Sequence, residues 1–171
     1  QGIIAIEAMS EISQIVGKAA DYEKYGATTK NLTQSWINLA FSSGHLRWNY
    51  GDPSSFGLMY NLIGDRLLQL NSIPSSIYGN QSAFLSSSNI TVLPFGLPLS
   101  CDSNLYARSD WTSFAAATAA DSESRNSLIS MVHVQASSNI SEGIFPTVYN
   151  AQNGASLGAG KPPNGFARLV M

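Results

Sequence analysis

Charged residues are scarce in this chain, since Asp, Glu, Lys and Arg together make up 12% of its 171 residues. Globular domains average about 25%. Nine Lys and Arg residues stand against eleven Asp and Glu residues, which gives a net charge of −2. This balance leaves no basic surface that could neutralise the phosphates of a nucleic acid. We therefore expect no nucleic-acid partner.

Histidine and cysteine are scarcer still. The two histidines, His45 and His133, stand far apart in the sequence and have no companions at metal-ligand spacing, so the sequence favours neither a metal site nor a cofactor. Cys101 is the one cysteine of the chain, which excludes an intrachain disulfide. Two states of its thiol are left open: burial in the fold, or a disulfide to another chain.

Long apolar runs are also missing, and none approaches the roughly 20 residues that cross a bilayer. We expect no membrane partner. No signal peptide is visible, and Gln1 is interpreted as a mature or processed start. The length suits one domain, which we predict to span residues 1–171.

What the chain has instead is a set of four Asn-x-Ser/Thr acceptor sites for N-linked glycans. Their asparagines are Asn31, Asn80, Asn89 and Asn139. Glycans would replace part of the missing ionic solvation of the surface. This pattern predicts a glycoprotein that is secreted and extracellular.

Helical periodicity dominates the first four fifths of the sequence. Six helices are predicted. The first begins near Gly2 and the fourth near Pro74, and the others are capped by Asp21, Ser54 or Ser55, Ser109 and Asp121. The spacing of the first helix predicts that Ile4, Ala8, Ile12 and Ile15 form its apolar face, with Ser10 turned away from that face. In the second helix, Asn31 is predicted to point outward, and the apolar residues near the opposite face are Tyr22, Tyr25, Leu32, Trp36 and Leu39.

Two regions depart from the helical period. Residues 46–50 alternate in polarity and predict a short extended segment. The tail, residues 139–171, is rich in Gly and Pro and is predicted to be mostly non-helical, with strand pairing near residues 145–149. The predicted fold class is therefore mainly α, with about three helical hairpins, a short extended segment and an irregular C-terminal tail.

Carboxylates are the remaining candidates for chemistry. Asp52 follows an aromatic segment and Asp110 stands at the start of the fifth predicted helix, so the two are candidates for general acid and base. The competing interpretation is that each carboxylate satisfies free amides at a helix start. Both interpretations stay open at this point.

Several segments together resemble the C-terminal part of the fungal glutaminase A family. They are residues 2–11, 48–62, 95–99, 109–111 and 145–149, in the same order along the chain. The resemblance implies the six-hairpin α/α toroid of that family, of which three hairpins would make half. It implies no catalytic residues in the isolated chain, because a half-ring supplies only part of an active site. If the chain is active, Asp52 and Asp110 are its candidate residues.

The chain is also similar in kind to the small subunits of heterodimeric fungal laccases, which are short, glutaminase-like glycoproteins. That resemblance implies a non-catalytic accessory subunit that binds and stabilises a larger secreted enzyme, namely a laccase-type large subunit. The alternative is a C-terminal piece of a secreted glutaminase, a glutaminase-type amidohydrolase that converts L-glutamine to L-glutamate and ammonia.

Overall fold

A computed structural model describes residues 1–87, 90–140 and 145–157. The described residues form six α-helices: α1 (Gly2–Ile15), α2 (Ala19–Ala40), α3 (Ile63–Leu67), α4 (Ser75–Leu85), α5 (Ser109–Thr118) and α6 (Ser122–Ser137). They also form four short strands: β1 (Phe41–Ser42), β2 (His45–Leu46), β3 (Tyr106–Arg108) and β4 (Val148–Asn150). The prediction of a mainly α fold with helical hairpins is confirmed.

Small hydroxyl side chains build the interface of the first hairpin, in which α1 packs against α2. They are Ser10, Ser13, Thr29 and Thr33, all of which are buried. The Ser10 hydroxyl donates to the Tyr22 carbonyl across the interface at 2.9 Å. A Cβ atom at Gly26 would meet the Ser10 hydroxyl oxygen at 3.3 Å. The two helices can therefore approach closely because small residues stand where they meet.

The predicted apolar face of α1 is wrong in the second half of the helix, whereas in the first half Ala8 is half-buried. Ile4 is buried, but Ile12 is 49% exposed and Ile15 is 82% exposed, whereas Ser10 is 1% exposed. The reason is the close approach of α2, which the hydroxyl residues permit and bulky side chains would prevent. On α2, Leu32 and Leu39 are exposed as well. Of the other residues predicted on that face of α2, Tyr22 is exposed, whereas Tyr25 and Trp36 are half-buried. The hairpin therefore exposes part of its apolar surface to solvent.

The extended segment predicted at residues 46–50 is shorter than expected and lies earlier. Strands β1 and β2 form a two-stranded antiparallel hairpin in which Phe41 pairs with Leu46. The chain then enters a loop that the Ser55 hydroxyl closes. Its oxygen accepts from the Asn49 N–H at 2.9 Å and it donates to the Asp52 carbonyl at 2.7 Å. Those bonds bend the chain where the sequence pattern predicted a strand.

The third helix also starts later than predicted. Phe56 and Leu58 are held in extended backbone by a neighbouring segment: Cys101 N–H donates to the Phe56 carbonyl and Leu58 N–H to the Leu99 carbonyl. Met59 then turns the chain with φ 51° and ψ 38°, and a single 3-10 turn (Tyr60–Leu62) leads into α3. Pairing over a separation of about 40 residues overrides the local helical period.

Helix α4 begins directly after Pro74, close to the predicted start. A buried carboxylate ties it to α3. Asp65 accepts from the Ser72 N–H at 2.8 Å, the Ser72 hydroxyl at 2.6 Å and the Tyr78 hydroxyl at 2.7 Å. This link holds the second pair of helices together.

Helices α5 and α6 pack as a hairpin. The predicted cap at Asp121 is confirmed, since its carboxylate accepts from the Ser124 N–H at 2.8 Å. The predicted cap at Ser109 is wrong, because Ser109 is the first residue of α5 and its hydroxyl donates to the Pro146 carbonyl at 3.2 Å. The bond to Pro146 ties α5 to the returning tail.

The described part of the tail pairs with β3. Strand β4 lies antiparallel to it, with Ala107 opposite Tyr149. Strand pairing in the tail is thereby confirmed, slightly later than predicted. Residues 158–171 of the tail lie outside the described residues.

Two apolar clusters form most of the core. The first is built mainly from α4, α5 and α6 and their loops: Leu58, Leu85, Ile90, Leu97, Ala115, Ala116 and Leu128. The second joins the end of α2 to β2 and α4: Ala40, Leu46, Leu62, Ile73, Ile77 and Tyr78. The candidate site is formed by residues 47–61 together with Trp36 and Ala40 near the end of α2.

Within the described ranges, no helix combines the length and the apolar character needed to cross a membrane.

Candidate functional site

Asp52 lies on an exposed loop, where its own neighbours occupy its carboxylate. Oδ1 accepts from the Ser54 N–H at 2.8 Å and from the Ser54 hydroxyl at 2.6 Å. These two hydrogen bonds lower the pKa of Asp52. A carboxyl group that is ionised more readily than usual is a poor general acid. The geometry matches a loop-closing role.

Asp110 lies in the first turn of α5 and is paired with Arg108. Arg108 donates from Nε to Oδ1 at 3.0 Å and from Nη2 to Oδ2 at 2.7 Å. Oδ1 also accepts from the Trp111 N–H at 2.9 Å. The hydrogen bond to Asp110 is the main cause that raises the pKa of Arg108. Since both partners are about one third exposed, the ion pair is expected to contribute about 0 to 1 kcal/mol.

The two predicted acids share no hydrogen bond, and neither lines the cleft described next. The helix-start interpretation fits Asp110, which accepts the Trp111 N–H in the first turn of α5. It does not fit Asp52, which accepts the Ser54 N–H within a loop.

An aromatic cleft lies beside Asp52. It has a volume of about 260 Å³ and is lined by Trp36, Ala40, Arg47, Trp48, Tyr50, Met59, Tyr60 and Asn61. We call it the aromatic cleft. The three tryptophans of the chain all belong to this region: two line the cleft, and the third, Trp111, stacks on Tyr60 with 3.6 Å between ring centroids. A cleft walled by aromatic rings with a few polar groups is the usual form of a small-molecule site.

Two backbone features shape this cleft. A Cβ atom at Gly57 would stand 2.5 Å from Cε3 of Trp48, so only glycine lets that indole ring lie against the chain. Met59 adopts the left-handed conformation, which is uncommon for a residue other than glycine, Asn or Asp. Backbone strain of this kind is concentrated at functional sites.

Arg47, Trp36 and Tyr60 were not predicted as site residues. The only signal was the group of aromatic residues near Asp52. Trp36 lies at the end of α2 and Tyr60 in the turn before α3, so the β1–β2 hairpin and the turn at Met59 are what bring them to Arg47.

Three of the four predicted acceptor asparagines are described, and all three are exposed: Asn31 on α2, Asn80 on α4 and Asn139 after α6. By contrast, the Ser or Thr two positions after the asparagine is buried at two of these sites. Thr33 and Ser82 are buried, and the Ser82 hydroxyl accepts from the Ala120 N–H at 2.9 Å. Asn89 lies outside the described residues. Glycosylation at these sites stays a prediction.

Cys101 is free and exposed, so the interpretation as a buried thiol is wrong. Its segment pairs with Phe56 along the surface, which leaves the side chain outside the core. Partial burial and the neighbouring Asp102 carboxylate raise the pKa of the thiol. A disulfide to another chain stays a prediction.

The histidines lie in different environments. His45 is buried, stacks on Phe84 at 3.9 Å between ring centroids, and places Nε2 3.2 Å from the Ser55 carbonyl. His133 is exposed on α6. Among the residues that the structure describes, no three His, Cys, Asp or Glu side chains are grouped to hold a metal ion.

The fold and the cleft define a mainly α protein built of helical hairpins. Residues 1–170 match the family described as the glutaminase A six helical-hairpin domain. The chain belongs to this family.

Two fungal relatives are similar to the chain. Glutaminase A of Aspergillus oryzae is 33% identical over 126 residues, which covers 71% of this chain and 18% of that protein. A probable glutaminase of Arthroderma benhamiae is 28% identical over 151 residues, covering 71% of this chain and 17% of that protein. The chain therefore spans about a fifth of the length of these relatives. No solved structure matches it. The chain is a glutaminase-related protein.

Proposed function

We propose that this chain is a non-catalytic accessory subunit that binds and stabilises a larger secreted protein. The proposal rests on the hairpin of α1 and α2. Hydroxyl residues fill the interface between its two helices, and a row of large apolar side chains is exposed to solvent. The large exposed apolar residues of α1 are Met9, Ile12 and Ile15, and Val16 at its C-cap is exposed as well. Their spacing places them on one face of the helix. We call these four residues the α1 stripe.

A stripe of this kind supports binding to a protein partner. Burial of apolar surface contributes about 25 cal/mol per Å², and a monomeric protein rarely exposes a large contiguous apolar patch without using it. On α2, Leu32 and Leu39 are seven residues apart and both exposed, which adds a second apolar row to the hairpin. The 12% charged content of the chain agrees with a surface that is partly covered by another protein.

The kind of partner is proposed from the resemblance to the small subunits of heterodimeric laccases. A laccase-type large subunit is the partner, and this chain would act on its stability. The exposed acceptor asparagines Asn31, Asn80 and Asn139 support secretion of this chain as a glycoprotein, which would bring it into the same compartment as a secreted partner.

The experiment mixes the purified chain with a laccase large subunit and measures co-elution and the inactivation half-life of the large subunit on heating. A partner that binds only the folded state stabilises it by about 2.7 kcal/mol at a hundredfold excess over Kd. We expect Ile12→Glu and Ile15→Glu to abolish co-elution and the gain in half-life. Gln14→Glu is the matched control, because Gln14 is exposed on α1 away from the stripe. Separate elution of the unmodified chain would reject the laccase partner.

The second candidate function is glutamine hydrolysis, which the similarity to glutaminase A favours. The hydrogen bonds that engage Asp52 and Asp110 do not support it. The test is ammonia release from L-glutamine by the purified chain. Release that Asp52→Asn or Asp110→Asn abolishes would replace the accessory role with an enzymatic one.

A further inference from the structure

Arg47 is the one basic residue that lines the aromatic cleft, and no Asp or Glu lines it. Among the residues that the structure describes, Arg47 takes part in no ion pair, since the described ion pair joins Arg108 and Asp110. Its Nη1 donates to the Tyr50 carbonyl at 2.9 Å. Its Nε is shielded from water and has no hydrogen-bond partner within the described ranges. Arg47 attracts the Asp52 carboxylate from a distance and lowers its pKa slightly, but forms no ion pair with it. The cleft thus holds a cation that no carboxylate of the described residues pairs with directly.

We propose that the aromatic cleft binds a small carboxylic acid with a flat, apolar body, whose carboxylate pairs with Arg47. This site is separate from the α1 stripe and does not depend on the accessory role. A guanidinium presents a planar fork of donors that matches a carboxylate with two parallel hydrogen bonds. Because Nε is shielded from water, the carboxylate would accept from the N–H groups of Nη1 and Nη2 that the Tyr50 carbonyl does not occupy.

The walls of the cleft select the body of the ligand. Trp36, Trp48, Tyr50 and Tyr60 present ring faces or edges, and aromatic pairs are stable when stacked with an offset or set edge to face. Trp48 is held by Gly57, and Tyr60 by the stacked ring of Trp111. Fixed walls reduce the entropy lost on binding. The volume of about 260 Å³ lies just below the range of about 300 to 1,000 Å³ typical of drug-sized ligands, so the ligand carries a single ring.

The same lining disfavours an amino acid. The Arg47 guanidinium would repel an α-ammonium group on the same ligand, and no carboxylate lines the cleft to offset that repulsion. The nearby Asp52 carboxylate is engaged by Ser54. The site is therefore predicted to distinguish a plain carboxylic acid from the corresponding amino acid.

Three probes test this selectivity on the unmodified chain: 3-phenylpropionate, its neutral amide 3-phenylpropanamide, and L-phenylalanine, which adds an α-ammonium group. Binding is followed by tryptophan fluorescence and by titration calorimetry. We expect 3-phenylpropionate to bind saturably. The amide is expected to bind about ten- to a hundredfold more weakly, which is the usual range for losing a charge-assisted hydrogen bond. Phenylalanine is expected to bind more weakly than the acid.

Equal affinities for the acid and the amide would overturn the proposal, because the guanidinium would then have no part in binding. So would the absence of saturable binding of 3-phenylpropionate at millimolar concentration. Either result leaves co-elution with a laccase large subunit untouched, so failure here is distinguishable from failure of the accessory role.

Variants assign the effect to Arg47. Arg47→Gln is expected to lose at least about tenfold in affinity for the acid and to bind acid and amide alike. Arg47→Lys keeps the charge without the planar fork and is expected to bind at an intermediate level. Arg125→Gln is the matched control, since Arg125 is exposed on α6 and the change in net charge is the same. Full affinity of Arg47→Gln for the acid would refute the assignment to Arg47. If that variant does not fold, the relative affinities of the acid and the amide for the unmodified chain still test the proposal.

Discussion

The hydroxyl of Tyr78 donates to Oδ2 of Asp65 at 2.7 Å, and both side chains are buried. The guanidinium carbon of Arg66 lies 4.0 Å from the centre of the same tyrosine ring. Tyr78 of α4 thus makes two interactions with α3. Its hydroxyl donates a hydrogen bond to the buried carboxylate, and the face of its ring contacts the neighbouring guanidinium. Asp65 retains the Ser72 hydroxyl and N–H as its other donors.

Removal of this hydroxyl is expected to destabilise the fold. Tyr78→Phe keeps the ring and its contact with Arg66 but takes one donor from a buried carboxylate, which typically costs about 1.5 to 3 kcal/mol. Urea unfolding followed by circular dichroism measures the loss. Tyr106→Phe, at an exposed position on β3, is the control and is expected to change stability by less than about 0.5 kcal/mol. Equal stability of the two variants would contradict the role of the Asp65 bond.

Alkaline pH is expected to unfold the chain through two buried tyrosines. Burial raises the pKa of Tyr149 to about 12; burial first, and then the hydrogen bond to Asp65, raise the pKa of Tyr78 further. Each pKa is higher in the folded state than the value of about 10 in the unfolded chain. The stabilising effect is therefore complete below pH 10 and is lost as the pH rises toward the folded pKa, because the unfolded state releases its proton first.

For Tyr149 the free energy of unfolding should fall by up to about 1.4 kcal/mol per pH unit between about pH 10 and pH 12. The measurement is a series of urea unfolding curves from pH 8 upward. Tyr149→Phe should flatten the slope, whereas Tyr106→Phe should leave it unchanged. A slope that is the same in all three chains would show that burial of Tyr149 does not govern the alkaline transition.

A pair of glycine substitutions tests how the aromatic cleft is built. Gly57→Ala places a Cβ atom 2.5 Å from the Trp48 ring, so the ring or the backbone must move, at a cost of about 1 to 3 kcal/mol. Gly79→Ala, in α4, meets no atom within 4 Å and is expected to stabilise the helix by about 0.5 to 1 kcal/mol. Thermal unfolding and the tryptophan emission spectrum measure both. Similar shifts of the melting temperature in the two variants would argue against close packing of Trp48 on residue 57.

The exposed thiol of Cys101 is expected to react with iodoacetamide in the native chain without denaturant. Its rate should lie below that of a free thiol at neutral pH, because partial burial and Asp102 raise its pKa and reduce the thiolate fraction. Asp102→Asn should increase the rate, and Asp21→Asn, at an exposed position on α2, should not. Reaction that starts only in denaturant would contradict the exposed position of the thiol.

Features that depend on adjacent residues were predictable from the sequence. The capping carboxylate of Asp121 and the start of α4 after Pro74 follow from local geometry, and both helices begin where they were predicted. The face of α1 was not predictable from hydrophobicity, because the close approach of α2 depends on Ser10 and Gly26, whose small size matters only when the other helix is in place.

The candidate site depended even more on long-range structure. The turn at Met59 has no signal in the sequence, since methionine does not favour the left-handed conformation. Pairing of the segments around Phe56 and Cys101 prevents the early start of α3 and determines where Tyr60 lies. Asp52 and Asp110 were predicted as candidate catalytic residues because the sequence does not reveal their hydrogen-bond partners. In the structure Ser54 and Arg108 occupy the two carboxylates.

The buried Ser82 hydroxyl has a consequence for the order of events during synthesis. A transferase that recognises both Asn80 and Ser82 needs access to the hydroxyl, and in the folded chain that hydroxyl accepts from the Ala120 N–H. Access ends when residue 120 has been synthesised and docks onto α4. We therefore predict that any sugar transfer at Asn80 competes with folding. Slower chain elongation or weaker docking of Ala120 would then raise the fraction of molecules that carry a glycan there.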